Sequence, residues 1–174
     1  MPIPAPAPLA VAVSACLLGT PCRYDGRSKP CEAARHLREL PSVTVVPVCP
    51  EAAGGLLTPR TPSEIVGSGA DRRVVDPQGT DRTDAFRRGA QKTLELVREA
   101  GCTVAALKSK SPSCGIGRVY DGSFSGRLVA GNGVAAQLLL DHGVAAIDEE
   151  RLAELWEHTD NEGIAQALEE LTRR

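Results

Sequence analysis

Three short aliphatic runs constrain this chain more than any other feature, because each breaks off into a loop that carries a cysteine. Residues 9–15 run into Cys16, residues 43–48 into Cys49, and residues 103–107 into a polar stretch that reaches Cys114. Runs of this length, apolar and rich in valine, without a helical period, read as strands buried on both faces. Helical patterns separate them. Pro30-Cys31-Glu32 opens one that continues to residue 40. Phe86, Ala90, Leu94 and Val97 recur at helical spacing between a Thr83 N-cap and Gly101, a natural stop. Residues 134–140 form a further helix and residues 144–147 a further strand, and polar-faced helices around 152–156 and 164–171 close the chain. Residues 50–70, rich in glycine and proline, exclude a single regular element, and residues 72–76 read as a short edge strand.

Strands alternating with helices require right-handed crossovers. The predicted fold class is therefore α/β, a single-domain Rossmann-like parallel sheet with helices on both faces. At 174 residues the chain fits one domain, expected over residues 9–174 behind a flexible Pro/Ala-rich lead of residues 1–8. In such a sheet the loops leaving the carboxyl ends of strands gather at one edge and build the site there. Cys16, Cys49 and Cys114 all lie on such loops. Cys102 precedes its strand and is expected at the opposite edge as a small buried hydrophobe. Cys31 starts a helix and Cys22 sits in the first loop, and for both a structural and a reactive role stay open.

Composition narrows the partners. Aromatic residues make up only 3% of the chain, too few for a base-stacking platform, and a net charge of -2 with interleaved signs leaves no footprint for long nucleic acid. A small molecule is the expected partner. Val13-Ser14-Ala15-Cys16 imitates a lipoprotein cleavage box, but no Lys or Arg precedes it and Pro2, Pro4, Pro6 and Pro8 interrupt the segment that would target it. No apolar run approaches the roughly 20 residues needed to span a bilayer. Six cysteines beside a full aliphatic core and without a secretion signal read as metal or catalytic thiols, so a cytoplasmic protein with no membrane partner is expected.

Three separated cysteines, with no C-x-x-C pair and with His36, His142 and His158 unrelated to them in spacing, are unlike a zinc finger, and thiolates of this kind favour an iron–sulfur cluster or zinc. Three thiolates on a cubane leave one iron with an open position. Glu51 follows Cys49 by two residues and is a candidate general base, against the ordinary reading of a loop carboxylate in water. Ser111 precedes Cys114 by three. Its hydroxyl is a candidate donor and the backbone N–H groups of the Ser-Cys-Gly turn a candidate site for developing negative charge, against plain turn chemistry for a serine before proline. Lys108 and Lys110 are expected to add positive potential.

Four ordered segments carry a resemblance: VSACLLGTPCRYDG (13–26), PVCPEAAGGLLTPR (47–60), ALKSKSPSCGIGRVYDG (106–122) and FSGRLVAGNGVAAQLL (124–139). Together they cover most of residues 11–142, and the chain closely resembles the 2-thiouracil desulfurase (TudS) family, formerly a domain of unknown function. The resemblance implies a Rossmann-like fold, a [4Fe-4S] cluster held by Cys16, Cys49 and Cys114, and catalytic roles for Glu51 and Ser111. The implied reaction takes a thiolated pyrimidine, 2-thiouracil, to uracil and sulfide without net redox change. Tyr24 and Tyr120, two of very few aromatics, are then candidates to stack on the ring. Three other readings compete. One is an iron–sulfur redox or iron sensor acting through partner binding, and one is a zinc hydrolase. The third is a nucleotide-binding Rossmann protein, suggested weakly by Gly131-x-Gly133-x-x-Ala136 and Asp148. Oligomeric state and the form of the substrate, base, nucleoside or nucleotide, have no sequence signal.

Overall fold

The structure, a computed structural model, describes residues 7–173. Residues 1–6 of the expected lead lie outside the described residues; Ala7 and Pro8 are exposed and precede the first strand. In chain order the elements begin with β1 (Leu9–Ser14), α1 (Glu32–His36), β2 (Val43–Val48), α2 (Pro50–Ala53), β3 (Glu64–Val66), β4 (Arg73–Val75) and α3 (Thr83–Glu99). They continue with β5 (Val104–Leu107), β6 (Arg118–Tyr120), β7 (Leu128–Ala130), α4 (Val134–Asp141), β8 (Ala145–Asp148), α5 (Glu149–His158) and α6 (Asn161–Glu170).

Four strands form a parallel sheet in the order β2-β1-β5-β8. Its register accounts for the continuous apolar runs. Val11, Val13, Val104, Ala106 and Ile147 share one face and pack on Ala34 and Leu37 near α1, on Leu152 of α5 and on Ile164 and Leu168 of α6. Ala12, Val48, Ala105 and Leu107 share the other and pack on Leu94 and Val97 of α3 and Ala136 and Leu139 of α4. A strand covered on both sides has no solvent face, so its alternation disappears from the sequence. Strand order turns at β1, which pairs with β2 on one side and β5 on the other. Crevices in open α/β sheets form at such a turning point, beyond the carboxyl ends of the strands.

Departures from the sequence reading occur where segments are short. The helix expected up to residue 40 is five residues of α1 followed by a 3-10 turn at Leu37–Glu39. Leu40 precedes Pro41 and is extended, at φ -82° and ψ 121°, as the proline ring demands of its neighbour. Thr83 is the first residue of α3 rather than its cap. Its hydroxyl oxygen instead accepts from the Val74 N–H at 3.0 Å, while Asp81 Oδ1 accepts from the Thr83 N–H at 2.8 Å. The expected edge strand around 72–76 is β4, which pairs antiparallel with β3 and stands apart from the main sheet. A second antiparallel pair, β6 with β7, follows the Cys114 loop.

Helices α2 and α3 cross backbone to backbone. A Cβ on Gly89 would lie 1.8 Å from the Pro50 carbonyl oxygen, and one on Gly54 would lie 2.1 Å from the Ala85 carbonyl oxygen. Neither neighbour is a side chain that can swing away. Gly89→Ala is therefore expected to destabilise the fold by about 1–3 kcal/mol even though alanine is the better helix former. Urea unfolding measures this directly, and an unchanged midpoint would mean that the crossing has room to spare. Because α2 carries Glu51, the close crossing also sets where that carboxylate stands.

Candidate functional site

The carboxyl ends of β1, β2 and β5 deliver their cysteines to one cavity of about 530 Å³. Cys16 lies in a 3-10 turn, Ala15–Leu18, directly after β1; Gly19, at φ +103°, ends it in a conformation that a side chain would strain. Cys49 is the cap residue of α2, immediately after β2. Cys114 closes the loop that leaves β5. Cys22, left open by the sequence, joins them: its thiol contacts the thiols of both Cys16 and Cys49, and it lines the same cavity. Cys102 is buried beneath α3 at the other end of the sheet, as expected, and Cys31 caps α1 outside the cavity. All six thiols are free.

Among the described residues no group of three His, Cys, Asp or Glu side chains is arranged to hold a single metal ion. Cysteines delivered to one cavity by the ends of three different strands fit a polynuclear cluster, in which each binds its own iron. The Ser113 Oγ is buried at this cavity with no hydrogen-bond partner, a donor that a cluster sulfide would satisfy. Contact with Cys16 raises the Cys22 thiol, contact with Cys22 followed by burial raises Cys49, and burial pushes Cys114 up to about 12. Thiols protonated in this way release their protons when they bind a metal. Ser14, the last residue of β1, lies beside Cys114 and opposes that upward shift, and its Oγ accepts from the Lys108 N–H at 2.9 Å.

Ser111 Oγ accepts from the N–H groups of Ser113 and Cys114, each at 3.1 Å, and the Ser111 carbonyl accepts from Gly115 N–H at 2.8 Å. The expectation that the Ser-Cys-Gly amides receive negative charge is thus corrected: the turn has already used them. Two incoming donors occupy the Ser111 oxygen, so its hydroxyl hydrogen is what it has left to give a ligand. Lys108 is ion-paired with Glu149, and Lys110 lies 3.8 Å from Glu150, so their expected positive potential is largely neutralised. Glu149 also accepts from the Ser109 N–H at 2.6 Å. Glu51 lines the cavity, ion-paired with Arg60. Tyr24, Tyr120 and Phe124 supply aromatic wall; Glu64 holds the Phe124 segment by accepting from the N–H groups of Gly122 and Phe124 at 2.9 and 3.0 Å.

The glycines that imitate a dinucleotide fingerprint have another task. A Cβ on Gly133 would lie 2.3 Å from the Ser113 carbonyl carbon, and the amides of Val134, Ala135 and Ala136 donate to the carbonyls of Pro112 and Ser113. The start of α4 is spent on the cysteine loop, which leaves no amides there for a pyrophosphate.

The sequence model of the 2-thiouracil desulfurase family matches residues 11–151. The chain belongs to the 2-thiouracil desulfurase family. Within reach of this assignment, the uncharacterized protein YbbK of Bacillus subtilis (strain 168) is 40% identical over 151 residues, 83% of this chain and 99% of the relative. A solved structure described as the [4Fe-4S]-dependent thiouracil desulfidase TudS superposes with a TM-score of 0.75 at 43% identity, over 86% of this chain and 97% of that one. The four motifs read from the sequence fall inside the family match, and so do all the cavity cysteines.

Sequence reasoning missed Ser14, Arg60, Glu64 and Glu149, all of which line the cavity. None carried a local signal, since each acts on a residue distant in the chain. A larger groove, about 1160 Å³, runs past Gly54, Val66 and the start of α3, but it holds no cysteine. Its arginines are largely engaged, Arg82 with Asp76 at 3.3 Å, Arg88 with the Gly54 carbonyl at 3.3 Å and Arg72 with the Asn132 carbonyl. The cysteines make the smaller cavity the candidate site. No helix among the described residues is long and apolar enough to cross a membrane.

Proposed function

We propose that this chain is a [4Fe-4S]-dependent desulfurase that hydrolyses the carbon–sulfur bond of a thiolated pyrimidine, converting 2-thiouracil and water to uracil and hydrogen sulfide. The carrying observation is that Cys16, Cys49 and Cys114 line one cavity with Glu51 and Ser111 at the carboxyl edge of the sheet. Membership of the family and likeness to the [4Fe-4S]-dependent desulfidase support the same reading. Cys16, Cys49 and Cys114 are the proposed ligands. Cys22 lies beside two of them and lines the same cavity, and is assigned to its wall.

A cluster held by three cysteines supplies, when bound, a Lewis-acidic iron with a free position for a soft sulfur atom. The chain supplies the rest. Tyr24, Tyr120 and Phe124 sandwich or edge the planar ring. The Ser111 hydroxyl donates to a ring oxygen or nitrogen. Glu51 takes a proton from water as the water oxygen bonds to the thione carbon; the carbon–sulfur bond then breaks and sulfur leaves as sulfide. No electrons are exchanged, and the free thiols accord with a reducing, cytoplasmic setting.

The test is to incubate the anaerobically reconstituted protein with 2-thiouracil in 18O-labelled water without a reductant. Uracil and sulfide in equal amounts, with label in the new carbonyl, are expected. Unlabelled uracil, or dependence on an electron donor, would contradict hydrolysis.

A further inference from the structure

Glu51 is held by a guanidinium whose three nitrogens all have partners. Arg60 and Glu51 are only 11% and 17% exposed. Arg60 Nε donates to Glu51 Oε2 at 2.7 Å, and Nη2 approaches the same oxygen at 2.6 Å. Nη2 also donates to the Cys22 carbonyl at 3.0 Å. Nη1 donates to the Leu57 carbonyl at 3.1 Å and to Thr58 Oγ1 at 3.0 Å. All three guanidinium nitrogens thus have hydrogen-bond partners, and the Arg60 backbone N–H donates to the Tyr24 carbonyl at 2.7 Å. One side chain ties the loop after α2, the loop carrying Cys22 and the Glu51 carboxylate into a single rigid unit.

The pairing is also lopsided. A guanidinium facing a carboxylate commonly engages both oxygens in a fork. Here both contacts fall on Oε2, and Oε1 accepts no hydrogen bond from any described residue. A buried ion pair adds little net stability, because desolvation offsets the attraction, so stability alone is a weak reason for this one. We propose that Arg60 is the positioning residue of the reaction: it immobilises Oε2 so that Oε1 is the oxygen presented to the attacking water. The proposal rests on the reading of Glu51 as the base. It requires arginine, since the single ammonium of lysine cannot hold partners spread over three nitrogens.

The test combines Arg60→Met and Arg60→Lys with Glu51→Gln and follows kcat, KM, bound iron and the visible spectrum. Arg60→Met is expected to lower kcat by about 100-fold, the loss typical of an ångström-scale misplacement, with KM within about threefold and iron content unchanged. Arg60→Lys is expected to recover less than about a tenth of the lost rate. In the Glu51→Gln background, Arg60→Met is expected to reduce the residual rate no further, because its effect runs through that carboxylate. The same fold-loss in both backgrounds would overturn the positioning role alone. Loss of iron from both Arg60 variants would overturn it too, making Arg60 a structural prop of the cysteine loops. A fully active Glu51→Gln variant would instead remove the base reading on which the proposal stands.

Discussion

Cys16→Ser is expected to leave the anaerobically reconstituted protein with less than about a tenth of the wild-type bound iron and no brown colour, since a hard, weakly acidic hydroxyl is a poor substitute for a thiolate on iron. Cys49→Ser and Cys114→Ser are expected to do the same. Each replaces a sulfur delivered to the cavity by the carboxyl end of a different strand, so no nearby backbone adjustment supplies a substitute. Cys22→Ala is the informative contrast. Its thiol stands against Cys16 and Cys49, yet as a wall residue it is expected to leave the iron content intact, as are Cys31→Ser and Cys102→Ala. Iron loss in Cys22→Ala with retention in Cys114→Ser would reassign the ligand set. The fold itself is expected to survive ligand loss, because Leu37, Leu94, Leu139, Leu152 and Ile164 form cores on both faces of the sheet without any contribution from metal.

Glu51→Gln is expected to keep the cluster spectrum while kcat falls by about 100- to 10,000-fold, the range that a positioned proton acceptor contributes. The amide is nearly isosteric and keeps an oxygen for Arg60, so the substitution tests basicity rather than packing. KM is expected to change little if the ring is held mainly by the aromatic wall and Ser111. Wild-type turnover in the variant would shift the proton acceptor to another group in the cavity, of which Glu149 is bound to Lys108 and Ser109 and poorly placed to serve.

The sheet was legible because its strands are buried on both faces, which gives compact aliphatic runs such as Val104–Leu107 bounded by polar loops. The edge location of Cys16, Cys49 and Cys114 followed from a topological rule rather than from any local pattern. Illegible parts were of two kinds. Elements of three or four residues, such as Pro50–Ala53 and Glu64–Val66, are too short to display a period, and glycine and proline around them read as loop. Pairings across the fold leave no trace in either partner: nothing near Arg60 points to Glu51, and nothing in Leu9–Ser14 marks Ser14 as a partner of Cys114. The Ser111 reading illustrates how close the two kinds of role lie. Its oxygen does the turn chemistry that a serine before proline ordinarily does, and that bonding does not use its hydrogen.

The most direct measurement follows sulfide release from 2-thiouracil in one preparation of the protein, first loaded anaerobically with iron and sulfide, then stripped with a chelator, then reloaded. Release that rises and falls in proportion to cluster occupancy is the predicted result. Equal release from the stripped or zinc-loaded protein, or none from the fully loaded one, would contradict the claim that three thiolates and a vacant iron perform this chemistry.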